Sequence, residues 1–188
     1  MKTIKIGKQE WMAENLNVKT FRNGDPIPKV KSPEKWEESK AAWCFYKNNS
    51  KNGKRYGPLY NWNAINDGRG LAPAGWHVPS NAEWQTLVNY LGGRAVAGGK
   101  MKETVQWSSP NTGANNESGF SALPGGYRRH DGSFELIGIY GWFWTSTVRD
   151  YSRKNACYWA LNYDSSQVYS GSFSIRHGYS VRCVRDHI

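Results

Sequence analysis

The order of the secondary-structure signals constrains the fold of this chain more than any other feature, because both helical patterns lie before residue 100 and most strand patterns lie after it. The clearest helix begins at Ser80, where Ser80 and Glu83 have the spacing of a capping box. Apolar residues then follow at helical spacing at Trp84, Leu87, Val88 and Leu91. Residues 57–65, with Pro58 in the first turn, predict a second, shorter helix. Helices before strands indicate an α+β domain in which two helices flank a twisted antiparallel sheet.

Strand patterns begin and end the chain. Residues 3–12 predict a hairpin that turns at Gly7, and residues 126–138 predict another around Asp131-Gly132. Further strands are predicted at 43–46, 142–147, 156–163, 168–169 and 179–185. Residues 22–57 otherwise resemble a long loop, and residues 97–100 a linker. Apolar residues in both terminal strands predict that the two ends of the chain lie together: Ile4, Ile6, Val181 and Val184.

Size and composition indicate one domain spanning residues 1–188 with a core made largely of rings. The 188 residues include ten Trp and eleven Tyr, which bury much area per residue and keep a polar edge. No apolar run is long enough for a membrane span. The first twenty residues are charged and lack an apolar run, so no signal peptide is predicted. The sequence does not specify an oligomeric state.

The formal net charge of +10 is spread along the chain. The basic residues of the first third are separated by Pro, Ser, Asn and Gly, which is typical of a solvated loop face. A contact with a polyanion is the alternative. The spacing argues against a nucleic-acid-binding surface, where Lys and Arg concentrate on one element.

Motifs for catalysis and metal binding are missing from the sequence. The four histidines are isolated, and no GxSxG or CxxC motif occurs. Cys44, Cys157 and Cys183 allow one disulfide, or are three buried thiols. We therefore predict that the protein is not an enzyme and needs no metal or cofactor.

The segment 145–180 has an unusual composition: eight Ser and five Tyr, but no Glu. Antibody paratopes use a similar mixture, in which Tyr supplies rigid contact area and Ser supplies adaptable hydrogen bonds. We interpret this segment as a ligand-binding surface, with an ordinary solvated sheet rim as the alternative. If Trp159, Leu161 and Tyr163 face inward, strand alternation turns the intervening residues outward. The predicted ligand-binding residues are Arg149, Asp150, Tyr151, Arg153, Tyr158, Ala160, Asn162, Asp164, Ser166, Tyr169, Ser170, Ser172, Ser174 and His177.

Six ordered motifs resemble the major paralogous domain first catalogued in Fibrobacter (FISUMP). They are residues 10–16 (EWMAENL), 56–62 (YGPLYNW), 75–80 (GWHVPS) with Glu83-Trp84, 119–128 (GFSALPGGYR), 143–147 (FWTST) and 180–186 (SVRCVRD). The resemblance spans nearly the whole chain. It implies a C-type-lectin-like fold of the formylglycine-generating-enzyme branch.

The same framework is similar to the variable proteins of diversity-generating retroelements. That similarity implies a non-enzymatic receptor or adhesin that binds a protein or glycan through a diversified 145–180 segment. It also implies a location on a cell surface or a phage particle. Lys154 and Gln167 depart from the residues that such diversification produces and would be fixed positions.

Other relatives of this fold carry motifs that the chain lacks. The Glu-Pro-Asn, Gln-Pro-Asp and Trp-Asn-Asp motifs of calcium-dependent lectins are missing, as is the His-x-x-x-His iron motif of sulfoxide synthases. Only Cys183 matches the reactive cysteine pair of formylglycine-generating enzymes. An oxidase of that type and a basic polyanion binder remain the alternative functions.

Overall fold

The structure, a computed structural model, describes residues 2–149 and 154–186. Its helices are α1 (Pro33–Glu38), α2 (Ser50–Tyr56), α3 (Trp62–Ile65), α4 (Asn81–Tyr90) and α5 (Arg94–Met101), with a 3₁₀ turn at Tyr46–Asn48. The first six strands are β1 (Thr3–Ile6), β2 (Gln9–Met12), β3 (Trp43–Cys44), β4 (Leu59–Asn61), β5 (Trp76–His77) and β6 (Gly125–Arg128). The remaining strands are β7 (Phe134–Ile137), β8 (Tyr140–Val148), β9 (Asn155–Asn162), β10 (Val168–Ser174), β11 (Gly178–Tyr179) and β12 (Val184–Arg185). The α+β class is confirmed.

The strands form two sheets instead of the single predicted one. A four-stranded sheet has the order β1-β2-β12-β5, and an eight-stranded sheet has the order β10-β9-β8-β6-β11-β4-β3 with β7 paired to β6. The strand pairs are antiparallel except β6 with β8, which is parallel at Gly126 and Gly141. Val184 in β12 pairs with Trp11 in β2 and with His77 in β5. The prediction that the two ends lie together is therefore confirmed.

The predicted long loop at residues 22–57 is wrong, because it contains α1 and α2. Each helix is too short to show a periodic apolar stripe, but each has a capping side chain: Ser32 accepts from the Lys35 amide and Asn49 from the Lys51 amide. Trp36 anchors α1 through its buried ring, and its Nε1 donates to the Arg176 carbonyl at 2.9 Å. Such short helices are stabilised mainly by tertiary contacts, so the local sequence does not predict them strongly.

Two further predictions, a helix at residues 57–65 and a linker at residues 97–100, are corrected. Residues 57–65 are partly strand: they form β4 and then α3, where Asn61 caps the helix by accepting from the Ala64 amide. Residues 97–100 are helical, within α5, and are not a linker. The capping box at Ser80 and Glu83 is present as predicted at the start of α4. The described residues thus contain five helices where the sequence predicted two.

The core lies on both sides of strands β8 and β9. On the α4 side, Trp84 stacks on Trp159 with ring centroids 6.0 Å apart, and Trp11 packs edge-on to Trp84 at 5.2 Å. On the other side, Trp144 packs on Tyr179 at 4.1 Å. Because side chains alternate along a strand, β8 and β9 contribute residues to both clusters.

Candidate ligand-binding surface

Strands β9 and β10 form an antiparallel hairpin at one edge of the eight-stranded sheet, and most of the predicted ligand-binding residues lie on it. The register runs from Val168 opposite Leu161 to Ser174 opposite Asn155. On its other side β9 pairs with β8, which places Trp142 opposite Ala160 and Tyr140 opposite Asn162. Directly opposite residues share a face of the sheet, so this register determines which side chains meet.

The predicted alternation along β9 is confirmed for its inward face, since Trp159 and Leu161 are buried against α4 and α5 residues. Tyr163, also predicted to face inward, lies just beyond the strand and is half-buried. Tyr158, Ala160 and Asn162 lie on the opposite face.

The predicted exposure of Ala160, Asn162 and His177 is wrong: they are only 1%, 8% and 3% exposed. Ala160 lies between the large side chains of Trp142 in β8 and Tyr169 in β10. Asn162 lies opposite Tyr140 and donates from Nδ2 to its hydroxyl at 3.0 Å. Neighbouring rings therefore cover these small or short side chains although their strand face is the predicted one.

His177 is enclosed by aromatic rings. Its ring centroid is 4.7 Å from that of Phe173 and between 5.5 and 5.9 Å from those of Tyr127, His130 and Tyr179. Burial lowers the pKa of His177 to about 4. The side chain is therefore neutral at pH 7 and packs among these rings as a buried group.

A row of partly exposed rings covers this face of β8, β9 and β10, and we call it the aromatic surface. Its members are Tyr127, Tyr140, Trp142, Tyr158, Tyr169 and Phe173. Trp142 is central: its ring centroid is 4.7 Å from Tyr158, 5.4 Å from Tyr140 and 5.4 Å from Tyr127. Tyr169 and Phe173 are the most exposed, at 39% and 48%. Gly171 lies between them, and a Cβ there would come within 2.8 Å of the Tyr158 hydroxyl, so the glycine leaves room for that ring.

The sequence prediction included only Tyr158 and Tyr169 from this surface. Tyr140 and Trp142 precede the segment 145–180, and Tyr127 belongs to β6. The alternating aromatic pattern at residues 140–144 was the available signal, because it places Tyr140 and Trp142 on the same face as Tyr158 once β8 pairs with β9.

The predicted serines lie on the other side of the hairpin. Ser170, Ser172 and Ser174 alternate with Tyr169 and Phe173 and are all half-buried. The predicted residues therefore do not form one patch, because consecutive strand residues point to opposite faces.

Three further predicted residues, Arg149, Asp164 and Ser166, lie around the ends of the hairpin. Arg149 and Asp164 are exposed, and Ser166 is half-buried with its hydroxyl 3.4 Å from the Thr112 carbonyl. Asp150, Tyr151 and Arg153 lie outside the described residues.

A buried lysine that the sequence analysis missed holds the turn between β9 and β10. Lys102 Nζ donates to the carbonyls of Asn162 at 2.9 Å, Ser165 at 3.0 Å and Tyr163 at 3.5 Å, and also to Thr112 at 2.9 Å. Burial lowers the pKa of Lys102 to about 8, and the nearby Asp164 opposes that shift. At pH 7 the Lys102 side chain is therefore still largely an ammonium, and its three N–H donors can connect this turn to the loop that contains Thr112.

Tyr127 and Tyr158 of the aromatic surface can act as hydrogen-bond donors at neutral pH. Burial raises the pKa of Tyr158 and, together with Glu135, raises the pKa of Tyr127 to about 12. Tyr127 donates to Glu135 Oε2 at 2.9 Å. Two buried polar atoms among the described residues of this region have no hydrogen-bond partner: Trp142 Nε1 and Asn162 Oδ1.

The three cysteines are free. Burial raises the pKa of Cys44 to about 11 and that of Cys183 to about 12, and it also raises the pKa of Cys157. A raised pKa suppresses the thiolate, which is the nucleophilic form. Within residues 2–149 and 154–186, no group of three or more His, Cys, Asp or Glu side chains is placed to hold a metal ion.

A polar cavity of about 410 Å³ lies beside α2. Residues that line it include Glu14, Asn15, Lys54, Arg55 and Glu103, and none of its lining residues belongs to the described part of 145–180. In the described part of the chain, no helix is both long and apolar enough to cross a membrane.

Comparison with known proteins identifies one family. The family model described as the Fibrobacter succinogenes major domain matches residues 4–185, which includes all twelve strands except the first residue of β1. No curated protein and no solved structure matches the chain significantly.

Proposed function

Because this chain belongs to the Fibrobacter succinogenes major domain family, we propose that it is a non-enzymatic ligand-binding domain with a C-type-lectin-like fold. In this proposal it acts as a receptor or adhesin and binds a protein or glycan through residues of the 145–180 segment and their aromatic neighbours. The location would be a cell surface or a phage particle.

The aromatic surface is the observation that carries this proposal. Its rings are partly exposed, and five of the six pack against another ring of the surface. They lie on strands whose other face is buried against α4. Tyr and Trp offer a large, rigid contact area, so a ligand can bind with little loss of side-chain entropy. Trp142 Nε1 and Asn162 Oδ1 are a buried donor and a buried acceptor in this region that have no hydrogen-bond partner.

Binding energy should concentrate in a few of these rings, as it does at other interfaces. Tyr169→Ala and Phe173→Ala should each weaken binding to an extract of bacterial surface material by at least tenfold. Ser172→Ala on the other side of the hairpin should have little effect. Tyr90→Ala is a matched control, since Tyr90 is 66% exposed but lies on α4.

Equal losses in Tyr169→Ala and Tyr90→Ala would contradict a dedicated surface. So would unchanged binding in both Tyr169→Ala and Phe173→Ala. Binding of the protein to an array of purified glycans and to an array of purified surface proteins distinguishes the two ligand classes.

We also propose that the 145–180 segment is diversified. Several of its residues are accessible without being part of the core, including Asp164, Tyr169 and Ser172. Sequencing the surrounding genome tests this directly: a reverse-transcriptase gene and a near-identical template repeat are expected nearby. A single invariant copy of the segment across isolates, without a template, would contradict it.

A further inference from the structure

The outer edge of β10 is an unprotected strand edge. Val168–Ser174 contains no charged residue and no proline, which are the usual means by which edge strands avoid pairing with other chains. The strand is the last in the order of its sheet. The uncharged stretch extends from Ser165 to Ile175.

The hydrogen-bond pattern shows which residues of β10 face this edge. The Ile175 amide donates to the Lys154 carbonyl at 3.1 Å, so Ile175 directs its backbone groups toward β9. In an antiparallel pair this orientation alternates, so Gly171 and Phe173 also face β9, whereas Ser170 and Ser172 face outward. Among the described residues, no backbone group outside β9 bonds to Ser170 or Ser172.

The sequence of β10 is nearly symmetric about Gly171. Reading outward in both directions, Ser170 matches Ser172 and Tyr169 matches Phe173. An antiparallel pair of two such strands, related by a two-fold axis through Gly171, would place each Ser170 opposite a Ser172 and each Tyr169 opposite a Phe173. In that register the outward-facing backbone groups of Ser170 and Ser172 would satisfy one another in four hydrogen bonds.

The charges that flank the strand fit the same arrangement. Asp164 precedes the uncharged stretch and Arg176 follows it, and both are exposed. Antiparallel pairing brings the acidic end of one strand toward the basic end of the other, at both ends of the interface. Parallel pairing would bring like charges together.

We propose that a second copy of this chain binds along the β10 edge and forms a two-fold symmetric dimer in which the two eight-stranded sheets become continuous. The exposed rings of Tyr169 and Phe173 then form cross-strand aromatic pairs between the copies. The aromatic surfaces lie on the same side of the joined sheet. Dimerisation along this edge requires no bound ligand.

Sedimentation equilibrium of the full chain tests the dimer without any ligand. We expect reversible dimerisation and a shift to monomer in Ser172→Pro. Proline at this position removes an outward amide and leaves the β9 hydrogen bonds intact, so circular dichroism should be unchanged. Phe173→Lys should also be monomeric, whereas Val105→Lys, at a residue 59% exposed outside the strand, should still dimerise.

Disulfide cross-linking tests the register. In a Cys157→Ser background, Tyr169→Cys mixed with Phe173→Cys should give a linked dimer on mild oxidation, whereas either variant alone should give only background. A monomer at every soluble concentration, a dimer that persists in Ser172→Pro, or equal cross-linking of Tyr169→Cys with itself would overturn the proposal.

Discussion

The buried ammonium of Lys102 donates hydrogen bonds to backbone carbonyls of two separate segments, Thr112 in one and Asn162 and Ser165 in the other. Asp164 is a nearby opposite charge but makes no hydrogen bond to this ammonium. Replacing it with Met keeps the apolar stem but leaves those carbonyls without their donor. Buried acceptors that lose a charged donor cost about 2 kcal/mol. We therefore expect Lys102→Met to lower the free energy of unfolding by about that amount, measured by urea denaturation.

Lys100→Met is the matched control, because Lys100 is 32% exposed and pairs with Glu117 at 3.4 Å. Such surface pairs contribute less than ~1 kcal/mol. Similar losses in the two variants would show that the carbonyl contacts of Lys102 do not stabilise the turn.

His177 should make the fold sensitive to acid. Its pKa of about 4 in the folded state lies below the ordinary value of 6.5, so the unfolded chain binds a proton first as the pH falls. The contribution is complete above pH 6.5 and is lost toward pH 4, by at most about 3 kcal/mol. His177→Phe keeps a ring in place and should lose less stability between pH 7.5 and pH 4.5 than the wild type.

The contribution of His77 to stability changes with pH in the opposite direction to that of His177. Burial opposes its protonation, but hydrogen bonds to Asp186 and Glu83, both at 2.7 Å, raise its pKa above the ordinary value. Its contribution is therefore complete below pH 6.5 and is lost as the pH rises through the raised pKa. His77→Gln should increase the loss on acidification, and identical pH profiles for the two histidine variants would contradict this assignment.

At the scale of secondary-structure elements, α5 contains two glycines that lie against other backbone segments, Gly98 against the β9–β10 turn and Gly99 against Gly113. A Cβ at Gly98 would be 2.5 Å from the Gln167 carbonyl oxygen, and one at Gly99 would be 2.4 Å from the Gly113 carbonyl oxygen. Helix propensity predicts that alanine is better than glycine by ~1 kcal/mol. Here the close approach of backbone to backbone outweighs that preference.

We expect Gly98→Ala to destabilise the protein by roughly 1–3 kcal/mol, the usual cost of overpacking. Val96→Ala on the exposed side of the same helix should change stability by less than ~0.5 kcal/mol. Thermal melts of both variants and of the wild type measure these changes in stability. A stabilised Gly98→Ala protein would mean that α5 does not pack closely on the turn.

At the scale of the whole molecule, β8 and β9 join the two largest core clusters, so the domain should unfold as one unit. Trp84 belongs to one cluster and Trp144 to the other. Trp84→Phe and Trp144→Phe should therefore shift the same single transition, by roughly 1–3 kcal/mol. Trp144→Phe should cost more, because Trp144 Nε1 donates to the Tyr60 carbonyl at 2.9 Å whereas Trp84 Nε1 is unpaired.

Unfolding followed by far-UV circular dichroism, which reports secondary structure, and by near-UV circular dichroism, which reports aromatic packing, tests whether there is a single transition. Coincident transitions are expected in the wild type and in both variants. Two separate transitions, with each variant moving only one of them, would show that the two sides of the sheet are independent.

Local sequence patterns were enough to predict the features that depend on a few neighbouring residues. The capping box of α4 needs only Ser80 and Glu83, the β6–β7 turn needs Asp131-Gly132, and the inward face of β9 follows from its period of two. The α+β class follows from the order of such signals. Family membership was also readable, because the motifs span nearly the whole chain.

Which residues of the predicted surface are accessible depends on packing between strands, and a local pattern does not show it. Ala160 and Asn162 have the predicted strand face, but rings from β8 and β10 cover them, and those rings become neighbours only through the strand register. Likewise, the buried ring of Trp36 packs α1 onto the rest of the domain, and the missing side chain of Gly98 lets α5 lie against the Gln167 backbone. Burial depends on what packs across from a residue, and a local pattern holds no information about partners that lie far away in the chain.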